Sequence, residues 1–164
     1  MHTIAIVVHA TSAIAAFIIG IVLIFQRNVL RQLQLGRAFL VLLILMEVFL
    51  VIAILSHVTS LSTITQIIFG GLVILGLYMI WRAVQAVTIL TKQHQEDQLK
   101  VIDHVGFVLI SLFDGFAIVS ALDLQAPGWL VAIIAVGAVG IGIYGINLRK
   151  KTLKMQMIQN SSSR

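Results

Sequence analysis

Two carboxyl groups, Glu47 and Asp114, stand inside otherwise apolar stretches of the chain. Glu47 lies ten residues beyond Arg37 and Asp114 eleven beyond Asp103, which on α-helices places them roughly 15 and 16 Å in from one common edge. Arg82 is the cation that also falls within an apolar stretch, with Tyr78 one helical turn before it on the same face. An ionisable group at the centre of a spanning helix costs about 2.5–3.5 kcal/mol on insertion scales, so these four residues are the first candidates for chemistry. Arg82 can neutralise one carboxylate. The other must then keep its proton or hold a cation, because an unpaired charge in a low dielectric is costly. A carboxyl that keeps its proton in lipid and yields it to water is what a proton relay or a cation-coupled carrier requires. The plainer readings are that Arg82 snorkels to the interface and that a protonated carboxyl hydrogen-bonds a neighbouring helix, giving assembly specificity alone.

The histidines form a second set. His2 and His9 are seven apart and share a helix face, while His57 approaches the far end of the next apolar run. Together with Asp123 they offer ligands for a divalent metal, or two facing histidines offer axial ligands for heme b. Neither spacing is specific, and a histidine hydrogen-bonded across two helices is the commoner case. His104 falls at the opposite edge, where an interfacial position is expected. Ser111 precedes Asp114 by one turn, but no histidine is placed to activate it, so hydrolysis is not the expected chemistry. With no cysteine there is no disulfide, thiolate metal site or cysteine nucleophile. The glycines of GAVGIGIYG lie within an apolar run and read as helix packing rather than as a phosphate loop.

The elements that carry these residues follow from composition. Apolar residues make up 60% of the 164 and charged ones 10%, against about 45–50% and 25% in soluble domains, which excludes both a soluble globule and a disordered chain. Five runs are long enough to cross about 30 Å of hydrocarbon as helices: 3–25, 38–60, 64–90, 104–122 and 129–148. Continuous apolar runs lack the two-residue alternation of barrel strands. The expected fold is therefore all-α, an integral membrane bundle of five transmembrane helices forming one domain over residues 1–154. A polar tail, 155–164, is expected to fray. A four-span alternative would make the fourth run, with Asp114 at its centre, a re-entrant or surface segment.

All eleven lysines and arginines fall on one side of the five-span arrangement. By the positive-inside rule that side is the cytoplasm, with the N-terminus outside and the C-terminus inside. The net charge of +5 thus points to a lipid bilayer as partner and not to nucleic acid. Met1–His2–Thr3 carries no basic residue and the first cluster follows the run, an order that predicts an uncleaved first helix rather than a signal peptide. A multi-pass protein of the cell membrane, in a bacterial inner membrane, is the expected setting. Ala5, His9, Ala13, Ala16 and Gly20 form a stripe of small residues on the first helix, so His9 is expected to face the bundle. Ala135, Ala138, Gly142 and Gly145 form a second stripe on the fifth, where contact between copies of a homo-oligomer is expected.

With these residues in place, roughly the first half of the chain resembles, in style, bacterial membrane bundles of the copper-resistance D and cytochrome b561 type. The likeness rests on His9 followed by Gly20, on Leu35-Gly36-Arg37 before Phe39, and on Tyr78 followed by Trp81-Arg82. Proteins of this style often carry histidines near helix ends that serve redox cofactors. In this chain Gln32 and Gln34, rather than histidine, precede Leu35-Gly36-Arg37. The leading expectation is a small membrane protein that moves a proton, cation or small solute through Glu47 and Asp114 with Arg82 as counter-charge. The alternatives are a heme- or metal-binding redox protein using the histidines, and an accessory subunit without catalysis.

Overall fold

A computed structural model of the chain describes residues 2–26, 28–56, 63–92, 98–124 and 127–162. Five helices account for nearly all of them: α1 (His2–Phe25), α2 (Val29–Leu55), α3 (Thr63–Lys92), α4 (Gln98–Asp123) and α5 (Gly128–Ser162). Four of these, α1 to α4, are long and apolar enough to cross a membrane, over Thr3–Phe25, Val29–Leu55, Phe69–Lys92 and Gln98–Ser120. The fourth run, with Asp114, is therefore part of one long continuous helix.

The helices extend past the apolar runs for local reasons. Asn28 caps α2, its side chain accepting a hydrogen bond from the Arg31 backbone N–H at 3.2 Å, so the helix starts nine residues before the apolar run. Gln32 Nε2 donates to the Gln26 carbonyl at 2.6 Å and ties the turn between α1 and α2. At the other end of the chain α5 continues through the polar tail to Ser162, in place of the fraying expected there. Leu, Lys, Met and Gln are good helix formers, and neither glycine nor proline follows Gly145 to stop the helix.

Packing closes a ring: α1 lies on α2, α2 on α3, α3 on α4, and α4 returns to α1, with α5 against α4. Neighbours run antiparallel. Gly36 of α2 meets Leu90 of α3 while Glu47 meets Gly76, and Gly106 of α4 meets Ile146 of α5 while Ile110 meets Gly142. Short turns between antiparallel helices bring Arg31, Arg37, Lys92, Lys100 and Lys150 to one end, hereafter the basic end.

Buried positions recur at three- and four-residue spacing, the pattern of a stripe facing a shared core. On α1 the stripe is Ala5, Ser12, Ala16, Gly20 and Leu23, so the small-residue seam read from the sequence is on the inside, with Ser12 more deeply placed than Ala13. Gly20 is where two helices close in: a Cβ there would come within 2.9 Å of the Phe39 ring and 2.8 Å of Leu109. On α3 the stripe is Gly76, Met79, Ala83, Ala86 and Leu90. Phe39, Leu23, Leu43, Val105 and Val108 are the largest side chains sealed in this core.

Candidate functional site

Glu47 belongs to the buried face of α2, one turn after Leu43, and is 4% exposed. Neither of its carboxyl oxygens has a hydrogen-bond partner. The group is lodged against the backbone of α3 at Gly76, where a Cβ would overlap Oε2 and lie 3.0 Å from Oε1. Any side chain at position 76 would thus require the carboxyl to move, and glycine is what lets α2 carry an acid on its core face. A carboxylate sealed without a donor would bear the full cost of lost hydration.

Asp114 is placed differently. It is half-buried on α4, in a stretch of sequence that also carries the exposed Phe113 and Phe116, and its Oδ1 is buried without a hydrogen-bond partner. Among the described residues no hydrogen bond or ion pair joins Asp114 to Glu47, or Arg82 to either of them.

Arg82, expected to face the carboxyls, turns instead along the boundary between α3 and α4. Its Nη2 donates to the backbone carbonyl of Asp103 at 2.8 Å, and Nη1 reaches the Tyr78 hydroxyl at 3.5 Å. The guanidinium carbon stands 5.0 Å from the Phe107 ring centre and 6.0 Å from that of Tyr78, within the range of cation–π attraction. Tyr78 and Phe107 meet edge to face at 5.1 Å. The Tyr78–Arg82 association read from the helix spacing is present; its extension to the carboxyls is not. The Asp103 carboxylate, for its part, receives Lys150 Nζ at 2.8 Å on each oxygen, pinning α5 to α4.

His9 reaches across from α1 to α2, with Nδ1 2.9 Å from the Met46 carbonyl oxygen. A carbonyl only accepts, so Nδ1 carries a hydrogen, and in the neutral ring the lone pair is then on Nε2. The inward orientation expected for His9 is therefore met by a cross-helix hydrogen bond at the residue next to Glu47. His57 lies outside the described residues, as do the side chains of His2 and Asp123, so the proposed ligand cluster is represented only by His9. Among the described residues no three His, Asp or Glu side chains gather closely enough to hold a metal ion. His104 Nδ1 is buried on α4 without a hydrogen-bond partner.

Two contacts escaped the sequence reading. Gly76 has a visible signal, since it falls on the three-and-four stripe of α3, but its pairing with Glu47 depends on the register between two helices. Asp103 served only to mark a boundary; its pairing with Lys150 joins residues of two helices with no local spacing rule between them. No protein-family model, curated protein or solved structure matches the chain.

Proposed function

We propose that the chain is a multi-pass membrane protein that carries protons across the bilayer, with Glu47 as the exchanging group. The single observation that supports this best is an acid 4% exposed on a candidate membrane span, its two oxygens unpartnered and its carboxyl seated on Gly76. The chemistry is a proton held while the carboxyl is packed against α3, and released when α2 and α3 part enough to admit water. Asp114, half-buried with one unpartnered oxygen, is the second exchanging acid in this reading, and α4 carries it independently of the α2–α3 contact. In this reading α5 is a fifth span, the basic end faces the cytoplasm of a bacterial cell and the N-terminus lies outside. Copies associate through α5 in this reading, but not along the whole stripe read from the sequence: Gly142 is packed on Ile110 of α4, whereas a Cβ at Gly137, Gly140 or Gly145 would meet nothing within 4 Å.

A second reading, a redox protein binding heme or a metal, draws on one feature: His9 Nδ1 is tied to a backbone carbonyl, which is how ligating histidines are commonly oriented, and Nε2 is left as the ligand atom. An absorption spectrum of the purified protein separates the two, since bound heme gives a Soret band and the proton-carrier reading requires none.

The test of the first reading is proton flux into liposomes with the chain reconstituted. Glu47→Gln keeps the size and neutrality of the acid, so the protein should fold and flux should vanish. Flux equal to wild type in Glu47→Gln contradicts the assignment.

A further inference from the structure

Arg149 and Lys150 stand next to each other on α5, just past its apolar run, and reach to different helices. Lys150 Nζ meets both carboxyl oxygens of Asp103 on α4 at 2.8 Å. Arg149 turns to the last turn of α1, where Nη2 donates to the Ile24 carbonyl at 3.4 Å and the guanidinium carbon stands 4.9 Å from the Phe25 ring centre. One helical turn after Arg149, Leu153 is buried, although Lys151 and Thr152 before it are exposed. A short segment of α5 thus bridges α1 and α4, with a firm attachment to α4 and a long, weak one to α1.

This segment helps to wall a cleft whose lining comes from four helices: Leu23 of α1, Gln32 of α2, Gln98 and Val101 of α4, Arg149 and Leu153 of α5. The cleft has room of about 20 Å3, the space of a single water molecule. Two of its lining residues hold buried polar atoms without a hydrogen-bond partner, Gln32 Oε1 and Arg149 Nε. With the segment in place, both atoms are cut off from water, which disfavours the closed arrangement. The Lys150–Asp103 pair acts in the opposite sense. Its side chains are 26% and 46% exposed, so dissolved salt screens it and its hold weakens as ionic strength rises.

We propose that residues 149–153 are a strap over this cleft, latched by the Lys150–Asp103 ion pair, and that screening the latch opens the cleft to water from the basic end. Opening hydrates Gln32 Oε1 and Arg149 Nε, and it leaves the remainder of the core closed. Glu47 lies fifteen residues beyond Gln32 on α2, roughly 22 Å along the helix, so the strap acts apart from it.

The chain has no cysteine, so a single introduced thiol reports on one position. Val101→Cys places it in the cleft wall, and Val108→Cys places it in the sealed core outside the cleft. The full chain in uncharged detergent is reacted with a neutral maleimide, and the adduct is followed by mass spectrometry. Val101→Cys should react slowly at low salt. Adding Lys150→Gln or Asp103→Asn should speed it about two- to fivefold, the worth of a partly exposed ion pair. Salt at about 1 M, where screening acts within roughly 3 Å, should bring the intact pair to that faster rate and leave the Lys150→Gln rate unchanged. Val108→Cys should keep one slow rate throughout, which separates opening of the strap from loosening of the whole bundle. A Val101→Cys rate indifferent to Lys150→Gln and to salt, or an equal rise at Val108→Cys, overturns the proposal.

Discussion

The two ends of the bundle are built to different tolerances. Toward the basic end the helices interlock: Leu23, Leu90, Val101 and Val105 are sealed from solvent, and a Cβ added at Gly20, Gly36 or Gly106 would press within 3.1 Å or less of a neighbouring side chain. Toward the far end, α1 and α2 stay together through Ala5 and Ala53, but α3, α4 and α5 present their sides outward. Ile67, Ile74 and Val136 are each at least 70% exposed, and Gly70, Gly71, Gly115, Gly137 and Gly140 meet nothing within 4 Å. The same residue type thus has two meanings. On the core-facing sides near the basic end Gly20, Gly36 and Gly106 are steric requirements of close helix approach; Gly145, at the height of Gly106, and the far-end glycines meet no neighbour within 4 Å. Glu47 and Gly76 sit where one regime passes into the other.

The largest contrast should come from two phenylalanines. Phe39→Ala empties a sealed position, 1% exposed, and should lower stability by about 3–5 kcal/mol. Phe116→Ala, at 66% exposed, should change it by no more than about 0.5 kcal/mol. Thermal unfolding of both variants in one detergent checks this, and comparable losses would mean that the far end is packed as tightly as the basic end. A smaller contrast is expected between two glycines. Gly20→Ala forces Phe39 and Leu109 aside and should cost about 1–3 kcal/mol, whereas Gly140→Ala meets no neighbour and should be neutral or stabilising by up to about 1 kcal/mol through helix propensity. The boundary itself is sharpened by a double-mutant cycle. Gly76→Ala should destabilise alone and much less in a Glu47→Ala background, with a coupling of about 0.5–3 kcal/mol. Additive effects would separate the two residues.

Much of this was legible in the amino-acid order. Run length gives five spans, and among the described residues four of the helices, α1 to α4, are long and apolar enough to cross a membrane; the gathering of basic residues at one end follows from short turns between antiparallel helices. Glu47 announced itself because an acid in an apolar run is expensive. What surrounds it did not, since the meeting of Glu47 with Gly76 is a matter of register between α2 and α3, and no residue type marks register. Arg82 shows the same limit from the other side. Helical spacing placed Tyr78 beside it, but its main acceptor is the backbone carbonyl of Asp103, and every residue carries a carbonyl. Asn28 is the opposite case: its cap fits a recognised N-terminal preference, yet a search by apolarity begins the helix only where charge ends.

A Glu47 that carries protons as proposed keeps its proton while buried, and a carboxyl-selective reagent addresses that state directly. A membrane-permeant carbodiimide concentrates in apolar surroundings and needs the acid's proton to react: the proton passes to a carbodiimide nitrogen and the carboxyl oxygen adds to its central carbon, a step the carboxylate without a proton source does not support. Peptide mass spectrometry after brief labelling at neutral pH should find the adduct on Glu47 in wild type and no adduct there in Glu47→Gln, with the Lys150-paired Asp103 unlabelled in both. Labelling of Asp103 with Glu47 left unmodified would contradict the account.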